Sequence, residues 1–579
     1  MKLIEALEIL KRPVPESAPE WNSFLACGMT PLHLQTFLAA RLQVRLPQYR
    51  VEIKTGLFGD LIGNLGRLQM SGLNSLVLAV EWVDLDSRLG IRNLGGWKPT
   101  TFRDIAASVI RVAATLEEKL GEISERIPTV ISMPTLPLPP IVTTGRAQTS
   151  TFEVELRHTV SSLMASLSQK SGLRVLNAQC LEELSPLTER YDAKSDVLTG
   201  FPYTLSHASV MGELLASLVV PPNPKKGLIT DLDDTLWAGI LGEDGIEGIS
   251  WHLDCQTHMH GVYQQFLAAL AGAGILLGVA SKNDPVAVGE AFKRSDLLIS
   301  ENDVFPIEAQ WSRKSESIQR ILKTWNVAAD SVVFVDDSPM EVAEVKAAFP
   351  EMECVVFPTG QYREIWDLLR RLREMFAKSL VSKEDSIRLG SIRDAVAWRA
   401  AVPAGASTPD DFLKAAEATI TFDRPLPDGA PRAFELVNKT NQFNLNGMRF
   451  GESEWKNYFA DPKAFLLTVE YKDKYGPLGK IAVIMGKAGV HKLHVECWVM
   501  SCRAFSRRIE HQCLKQLFEL FEVDEIAFDY RSTPRNTPFR EFLTEVLEEP
   551  PVPGVSLSKK SFDKKRLPLF HRVEGTVNV

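Results

Sequence analysis

The sequence predicts an α/β protein with a parallel sheet in the middle of the chain, followed by an α+β region. Three patterns lead to this prediction. Between residues 20 and about 380, short apolar runs alternate with longer segments of helical periodicity, as in wound parallel sheets. One of these runs ends in a pair of carboxylates, and ligands of open α/β sheets bind beyond such strand ends. From about residue 417, several strand-like runs precede a helix, which is typical of an α+β region.

Length and charge limit the possible functions. A chain of 579 residues is too long for a single hydrophobic core, so we expect about three domains. The net charge is −8 and no polybasic block occurs, so neither nucleic acid nor a membrane surface is expected as a partner. An acidic carrier protein stays open as a partner, because local charged patches need not follow the net sign.

The N-terminus and the cysteines favour a cytoplasmic location. The segment from Met1 to Pro13 is amphipathic and lacks the apolar core of a signal peptide. No apolar run reaches the roughly 18 residues that cross a bilayer. The seven cysteines form no C-x-x-C pair, which fits a reducing compartment better than a disulfide framework.

Residues 1–220 are predicted to form an α/β domain of wound topology. Strands are expected at Arg50–Lys54, Ser75–Val80, Thr129–Ser132 and Leu173–Leu176. Helices are expected at Pro31–Leu42, Phe102–Leu120 and Val154–Gln169. The proline-rich stretch Pro134–Pro140 is expected to be a surface loop, because proline cannot enter a central strand.

Residues 221–380 are predicted to form the second domain, which follows the compact linker Pro221–Lys226. Its strands are expected at Leu228–Thr230, Ile275–Ala280, Val332–Val335 and Cys354–Phe357. Helical periodicity covers 258–273, 284–294, 314–325 and the charged segment Gln361–Leu380.

A helical connector is expected over residues 381–416, with a helix around Lys383–Ala400. Residues 417–579 are predicted to form the third domain. Its strands are expected at Phe465–Tyr471, Gly479–Ile484, His491–Val499 and Glu525–Asp529, with a helix over Arg507–Glu522.

The segment Thr230–Trp237 is the motif around which the chain is organised. Asp231 and Asp233 follow a short apolar run at a spacing of i, i+2. On a continuing strand these two carboxylates point to the same side, so they could share one metal ion or one phosphorus atom. Such an acidic pair is also common in loops that have no catalytic role.

Three further polar segments of the second domain follow strands or begin a helix. They are Ser281–Asn283, Lys314 within Trp311–Ser315, and Asp336–Pro339. In this order the four segments resemble the motifs of the haloacid dehalogenase (HAD) superfamily, whose phosphatases and phosphotransferases use an aspartate nucleophile. The resemblance implies a HAD-type, Rossmann-like parallel sheet in the middle of the chain.

The resemblance also implies a role for each residue type, since phosphoryl transfer needs a nucleophile, counter-charges and a proton donor. Asp231 would attack phosphorus, and Asp233 would protonate the leaving group and then activate water. Thr235 would hold Asp233 and the loop in place. Ser281 would bind phosphoryl oxygens and Lys314 would neutralise their charge.

The expected cofactor is Mg²⁺, because an all-oxygen site that also receives a phosphate suits a hard, octahedral cation. By resemblance, Asp337 and Asp336 would complete the metal site with Asp231 and the main-chain carbonyl of Asp233. The histidines His252, His258 and His260 lack partnering cysteines at the spacing of a zinc site.

Only 49 residues separate Asp231 from Ser281, so no large cap domain fits between them. An open site favours a macromolecular or chain-borne substrate, or a site that a neighbouring domain covers. A finer resemblance is to FkbH-like proteins. It rests on the stretches Leu236–Gly245, Ser281–Asn283, Phe334–Glu341, Asn438–Asn444 and Met500–Arg503.

The FkbH-like resemblance implies a function in polyketide or related secondary metabolism. A phosphorylated small acid of the glyceryl type would lose its phosphate, and its acyl unit would pass to an acyl carrier protein. Trp237, Lys282, Asn283 and Asn441 lie in the matching motifs and are predicted to contact the substrate or its phosphate. Ala280 stands where many relatives carry cysteine, which puts the glyceryl-transfer step in doubt. Asp234 and Ala238 are milder departures.

The third domain resembles the GNAT N-acetyltransferase fold, in which a glycine-bearing turn binds the CoA pyrophosphate at a helix N-terminus. In the matching stretch Arg503–Arg508, Ser506 and Arg508 replace both glycines. Arg507 and Arg508 are predicted to bind phosphate through their side chains instead. Cys502 is a candidate thiol nucleophile, although a half-buried structural cysteine is an equally good interpretation.

The first domain resembles an SGNH-hydrolase domain in length and alternation. It lacks a Gly-Asp-Ser nucleophile block, and Gly28–Thr30 lies roughly where one would fall. No credible Asp-x-x-His pair occurs, so this domain is predicted to be non-catalytic.

The leading hypothesis is therefore a Mg²⁺-dependent HAD-type phosphatase or acyl-phosphate transferase that serves a carrier protein. One alternative is a small-molecule phosphatase without acyl transfer. Another is a catalytically quiet carrier-protein adaptor, which the intact set of motif residues argues against.

Overall fold

A computed structural model describes residues 1–574 with short gaps. The residues outside the description are 142, 146, 379–384, 386, 394–395, 397–409, 411–412, 415, 475, 502–503, 505–506, 566 and 575–579. The chain divides into two compact units, Met1–Pro222 with Phe450–Tyr458 and Asn223–Arg449 with Phe459–Val579. The three-domain division of the sequence stays a prediction. Half of the 18 residues of the helix expected at Lys383–Ala400 lie outside the described residues, and the other half are helical.

The first unit contains a five-stranded parallel sheet in the order β2-β1-β3-β4-β5. The strands are β1 Glu20–Ala26, β2 Arg50–Thr55, β3 Ser75–Ala79, β4 Thr129–Ser132 and β5 Leu173–Val175. The four predicted strands are confirmed. Strand β1 was not predicted, because the polar residues Asn22 and Ser23 interrupt its apolar run. Both are buried, and the Ser23 hydroxyl lies 2.7 Å from the Ser75 hydroxyl of β3.

Helices cover both faces of this sheet, as wound parallel sheets require. They are α1 Leu3–Lys11, α2 Leu32–Arg45, α3 Leu61–Gly66, α4 Trp82–Leu85, α5 Phe102–Ser124, α6 Thr151–Ser168, α7 Ala178–Leu184, α8 Ala193–Thr199 and α9 Leu205–Val219. The three predicted helices correspond to α2, α5 and α6. Two separate apolar clusters form the core, one containing Val77 of β3 and the other containing Leu76 and Leu78. Alternate residues of a strand thus supply opposite faces of the sheet.

The second unit contains a second five-stranded parallel sheet in the order β10-β9-β6-β7-β8. Its strands are β6 Gly227–Thr230, β7 Leu276–Ser281, β8 Ile307–Ala309, β9 Val332–Asp336 and β10 Glu353–Val356. All four predicted strands are confirmed. The edge strand β8 was missed, because three residues carry too little periodicity to be recognised.

The helices of this sheet are α10 Leu241–Gly248, α11 His258–Gly272, α12 Pro285–Ala291, α13 Lys314–Trp325, α14 Pro339–Ala348 and α15 Tyr362–Phe376. The predicted segments correspond to α11, α12, α13 and α15, whereas α10 and α14 were not predicted. Helix α15 buries Ile365, Leu368, Leu369, Leu372 and Phe376 at helical spacing, so its apolar stripe packs against the core. Between Asp231 and Ser281 lie α10 and α11 with their loops and no cap domain, as predicted.

The C-terminal part of the second unit is the predicted α+β region. Its sheet runs in the order β17-β16-β15-β14-β13-β11-β18, and β12 pairs with β15. The strands are β11 Thr419–Asp423, β12 Phe443–Asn444, β13 Ala464–Asp473, β14 Gly476–Ala488, β15 Lys492–Met500, β16 Glu525–Phe528, β17 Ser556–Ser558 and β18 Arg572–Glu574. The helices are α16 Pro431–Lys439, α18 Ile509–Leu520, α19 Thr537–Leu547 and α20 Lys559–Lys564, while α17 Glu452–Tyr458 belongs to the first unit.

Strands β15 and β16 are parallel, as are β11 and β18, and the other neighbours in this sheet are antiparallel. The four strands and the helix predicted here are confirmed within a few residues. Across the described ranges, the helices lack the combination of length and apolarity that a bilayer crossing demands.

Candidate active site

The four predicted motif segments meet at the carboxyl edge of the parallel sheet of the second unit. Asp231 directly follows the central strand β6, and Ser281 and Asp336 are the last residues of its neighbours β7 and β9. Lys314 is the first residue of α13. All four side chains are buried. Because parallel strands end at one edge, residues 105 positions apart in sequence (Asp231 and Asp336) become neighbours.

The Lys314 ammonium group lies among three carboxylates. Its Nζ atom is 2.6 Å from Asp231 Oδ1, 2.8 Å from Asp336 Oδ2 and 3.1 Å from Glu341 Oε2. Burial alone would lower the pKa of Lys314, but the carboxylates outweigh it and raise that pKa. Lys314 is therefore a fixed positive charge beside the predicted nucleophile.

The acidic side chains of the site carry more negative charge than Lys314 balances. Burial raises the pKa of Asp231 despite its contact with Lys314. Burial and the charge of Asp231 raise the pKa of Asp336 to about 7. Burial and the charges of Asp231 and Asp234 raise the pKa of Asp337 to about 6. Repulsion among carboxylates of this kind is relieved by a further cation.

The donor set fits a hard metal ion. Single carboxylate oxygens of Asp231, Asp336 and Glu341 lie within 4.8 Å of one another. The Lys314 ammonium group already contacts an oxygen of each of these three. Asp337 is half-buried and forms no ion pair with a described residue, although the charge of Lys314 partly offsets the effects of burial and of Asp231 on its pKa. An all-oxygen set with unbalanced negative charge is the environment that Mg²⁺ prefers.

Asp233 is held by donors on both carboxylate oxygens. The Trp237 indole Nε1 donates to Oδ1 at 3.0 Å, and the main-chain amide of Leu241 donates to the same oxygen at 3.1 Å. The Asn283 side chain donates to Oδ2 at 2.9 Å. These hydrogen bonds fix the orientation of the carboxylate beside Asp231.

Two of the predicted substrate contacts are hydrogen-bonded to Asp233. Trp237 is fully buried and the one polar atom of its side chain donates to Asp233, and its contact with the substrate stays a prediction. Asn283 is also buried and donates to Asp233 and to the Ser281 hydroxyl. Lys282 remains partly exposed and pairs with Glu341 at 2.6 Å.

Thr235 acts on a different partner from the one predicted. Its hydroxyl accepts a hydrogen bond from the main-chain amide of Asp337 at 3.0 Å. Its main-chain carbonyl lies 3.0 Å from Nδ1 of the buried His260. Thr235 thus ties the first motif to the fourth, and the side chain of Asp233 is held by other groups.

The backbone of the first motif accommodates aspartate at position 234. Asp234 has a left-handed conformation with φ of 50°, which asparagine and aspartate tolerate better than most residues. Its Oδ1 accepts a hydrogen bond from Gly239, which itself has φ of 99°. Aspartate therefore replaces asparagine at this position without strain.

Glu341 is the site residue that the sequence analysis missed. It lies on the first turn of α14, four residues after Asp337, and contacts both Lys314 and Lys282. These two lysines lower its pKa against the opposing effect of burial. Its place on the first turn of a helix that directly follows the strand end was a usable signal, because helical side chains tilt toward the N-terminus of the helix.

The predicted phosphate ligands of the third domain are not among these residues. Arg507 is buried 3.7 Å from Asp473 and over the ring of Tyr471, and Arg508 pairs with Asp410 at 2.6 Å. Both arginines therefore have internal partners, and phosphate binding by their side chains stays a prediction. Cys502, Arg503 and Ser506 lie outside the described residues.

Asn441 and Ala280 also lie away from the carboxylates. Asn441 Oδ1 accepts a hydrogen bond from Arg449, and the residue lines a separate cavity. Ala280 is fully buried in the apolar cluster that contains Ile229 and Phe334. Its side chain therefore faces the core.

A second polar cluster lies in the first unit and is closed to solvent. Glu81 follows β3 and accepts hydrogen bonds from the amides of Thr135 and Leu136 and from the hydroxyl groups of Thr135 and Tyr203. His207 lies 3.0 Å from the Thr135 hydroxyl. Glu81 is 2% exposed and His207 0%. The non-catalytic role of this domain stays a prediction.

This cluster gives a prediction about pH. Burial raises the pKa of Glu81 to about 7. A carboxyl whose pKa is raised on folding contributes stability below its unfolded pKa of 4.5, and that contribution is lost as pH rises toward 7. The stability advantage of the parent over Glu81→Gln should therefore shrink by about 3 kcal/mol between pH 4.5 and pH 7. Urea unfolding of both proteins at several pH values measures it, and a constant difference contradicts it.

The sheet with acidic loops at its carboxyl edge places the chain in the class of Rossmann-like α/β folds. Its fold is similar to that of the N-terminal part of the protein BF1531 from Bacteroides fragilis, which contains a phosphatase domain and was crystallised with Mg. The TM-score is 0.51 at 19% sequence identity, over 66% of this chain and 100% of that one.

Other comparisons add little. No protein-family model and no curated protein matches the chain. The structure of the Pnkp1/Rnl/Hen1 RNA repair complex matches at 11% identity over 59% of this chain and 97% of that one, with a TM-score of 0.17. At that score the likeness supports no argument.

Proposed function

We propose that this chain is a Mg²⁺-dependent phosphohydrolase with Asp231 as its nucleophile. The proposal rests on one observation above all, the placement of the Asp231 carboxylate 2.6 Å from the buried Lys314 ammonium group at a sheet edge. Ser281, Asp233 and Asp337 come from the same edge. A phosphoryl group beside Asp231 would meet a nucleophile, a counter-charge, a hydroxyl donor and a proton carrier.

The chemistry follows in two displacements. A carboxylate oxygen of Asp231 forms a bond to phosphorus, and the bond from phosphorus to the leaving oxygen breaks. Asp233 in its acid form gives its proton to that leaving oxygen. Water then attacks the aspartyl-phosphate, Asp233 takes the proton of the water, and inorganic phosphate leaves as the Asp231 carboxylate is restored.

Lys314 and Ser281 stabilise the charge of the transferring group. The Lys314 ammonium group is fixed before the substrate binds, so little reorganisation is needed as charge moves onto the equatorial oxygens. Trp237, Asn283 and the Leu241 amide hold Asp233 in one orientation throughout both displacements.

Mg²⁺ would be held by Asp231 and Asp337, with the main-chain carbonyl of Asp233. When bound, the ion would supply charge neutralisation for the phosphate oxygens and for the carboxylates. Asp336 is a weaker candidate ligand than predicted, because its Oδ2 is paired with Lys314 and its Oδ1 accepts the Ser338 amide. Glu341 is likewise engaged by Lys314 and Lys282.

The proposed physiological reaction takes a phosphorylated small acid and passes its acyl unit to an acyl carrier protein.

Besides the absence of a cap, one observation favours a macromolecular partner. Each motif segment lies within five residues of an exposed apolar side chain. These are Ile240 at 40% exposure, Val286 at 71%, Trp311 at 75% and Met340 at 75%. We call these four residues the apolar rim and propose that they contact the carrier protein, because exposed apolar side chains that cluster near a site mark interaction surfaces.

The apolar rim gives a prediction that separates carrier delivery from simple hydrolysis. Trp311→Ser with Met340→Ser should reduce acyl transfer to a carrier protein by about tenfold or more, since each side chain contributes roughly 1–2 kcal/mol of apolar contact. Hydrolysis of a small phosphate ester should change little. Val490→Ser, which alters an apolar side chain with 86% exposure away from the motifs, is the matched control.

The experiment uses phosphorylated three-carbon acids, Mg²⁺ and a candidate carrier protein. Intact mass of the carrier reports acyl transfer, and released phosphate reports hydrolysis. Phosphate release without any carrier adduct would favour the small-molecule phosphatase. Neither product, with a folded chain, would favour the quiet adaptor.

A further inference from the structure

The second unit contains a cavity of 860 Å³ that the proposed reaction does not use. One wall comes from the beginnings of the strands of the parallel sheet, through Lys226 before β6, Leu276 of β7 and Ser331 before β9. Asp231 follows the other end of β6. The cavity and the candidate active site therefore lie at opposite edges of the same sheet.

The other wall comes from the C-terminal part of the unit. It includes the stretch from Asn438 to Gln442 at the end of α16, Met500 at the end of β15, and Arg535 before α19. This stretch is one of the motifs that the sequence analysis singled out. No step at Asp231 requires it.

The lining of the cavity is strongly basic. Seven lysine and arginine side chains line it, against three aspartate and glutamate side chains, which leaves an excess of four positive charges. The whole chain carries a net charge of −8. Positive charge is thus concentrated at this cavity against the overall sign, which favours an anionic ligand.

Ion pairs compensate part of this charge, since Arg388 is paired with Asp385, which lies outside the lining, at 2.8 Å. Glu435 is shared by Arg432 at 2.6 Å and Lys439 at 2.9 Å, so two cations face one carboxylate. The Lys225 ammonium group donates to the main-chain carbonyl of Asp330 at 2.6 Å. The Asp330 carboxylate meets Arg535 at 3.3 Å.

Arg449 contributes a further charge that is held in place by neutral groups. Its guanidinium donates to the carbonyls of Val437, Met448 and Thr440 and to the side-chain oxygen of Asn441. Four of its five N–H groups are thereby used. Arg449 therefore offers a ligand its fixed charge, while Lys225 and Arg535 have donors that can reorient toward an anion.

The rest of the lining is apolar. Leu276, Leu322, Trp325 and Ile392 form a buried floor, with Phe349 half-buried beside them. A hydrocarbon portion of a ligand would contact this floor. An inorganic anion would leave it uncovered.

We propose that this cavity is a second binding site, which takes an organic phosphate with its anionic group at the basic wall and its hydrocarbon portion on the apolar floor. The volume lies in the range of small-molecule sites, about 300–1,000 Å³. Even with Arg388 paired to Asp385, several positive charges remain at the wall, which suits a multiply charged phosphate better than a single carboxylate. A ligand in this cavity is not the phosphate ester cleaved at Asp231, because the two sites lie at opposite sheet edges.

Calorimetric titration of the full chain with hexylphosphonate, a phosphate-ester analogue that resists hydrolysis, tests this proposal. Inorganic phosphate and hexanol are titrated as the two halves of the probe. We expect hexylphosphonate to bind more tightly than either half. Lys225→Gln with Arg535→Gln should weaken that binding by about tenfold or more. Lys323→Gln, on the exposed side of α13 and outside the lining, should leave it unchanged.

Ser281→Ala distinguishes this site from the active site, because it alters phosphate binding beside Asp231 alone. Hexylphosphonate binding that persists in Ser281→Ala and weakens in the double variant supports the proposal. The proposal is overturned by absent binding at millimolar probe, by binding lost in Ser281→Ala instead, or by equal binding of hexanol or inorganic phosphate. If the double variant fails to fold, Arg535→Gln alone replaces it in the test, because this side chain is 56% exposed. It should weaken hexylphosphonate binding by a smaller factor.

Discussion

The Asp231→Asn variant is expected to release phosphate from any ester substrate about 10³-fold more slowly, or worse, than the parent protein. Asparagine keeps the shape of the side chain but removes the charge that attacks phosphorus. In the parent protein the Lys314 ammonium group lies 2.6 Å from the Asp231 carboxylate. In the variant it would still donate a hydrogen bond, now to the neutral amide oxygen of asparagine. Steady-state phosphate release at saturating Mg²⁺ measures this effect.

The fold of Asp231→Asn should survive. Asp231 raises the pKa values of Asp336 and Asp337, so removing its charge relieves repulsion within the acidic cluster. We expect an unchanged or higher melting temperature without metal. A variant that melts normally and retains near-parental phosphate release would remove Asp231 from the role of nucleophile.

Chelation of divalent metal should abolish phosphate release, and added Mg²⁺ should restore it. The unbalanced carboxylates of the site require a cation, and a dianionic phosphate ester increases that requirement. Asp337→Ala should raise the Mg²⁺ concentration for half-maximal activity by about tenfold or more, since it removes a proposed ligand of the ion. Titration of activity with Mg²⁺ measures the shift.

Two comparisons sharpen the metal prediction. Asp254→Ala removes an exposed carboxylate from the loop between α10 and α11 and should leave the Mg²⁺ requirement unchanged. Asp336→Ala should lower the maximal activity, because Lys314 loses one of its partners. The Mg²⁺ concentration for half-maximal activity should change less than in Asp337→Ala. Activity that persists in excess chelator would exclude Mg²⁺ from the reaction. If Asp336→Ala raised the Mg²⁺ requirement and Asp337→Ala did not, Asp336 would be the metal ligand in place of Asp337.

The sequence by itself determined the architecture around the candidate site. Buried parallel strands need continuous apolar runs, and the runs at β6, β7, β9 and β10 were recognisable for that reason. Parallel strands also place their carboxyl ends at one edge, so the motif order predicted that Asp231, Ser281 and Asp336 would meet. The spacing between Asp231 and Ser281 excluded a cap domain in the same way.

Only the tertiary structure decided which partner each polar side chain has. Lys314 contacts three carboxylates, Trp237 is buried against Asp233, and Arg507 and Arg508 are paired within their own region. Motif patterns record residue types along the chain, whereas hydrogen bonds and ion pairs depend on distances of a few ångströms between segments far apart in sequence. The basic cavity follows the same rule, because Lys225, Arg449 and Arg535 come together only when the sheet and the C-terminal region pack in one unit.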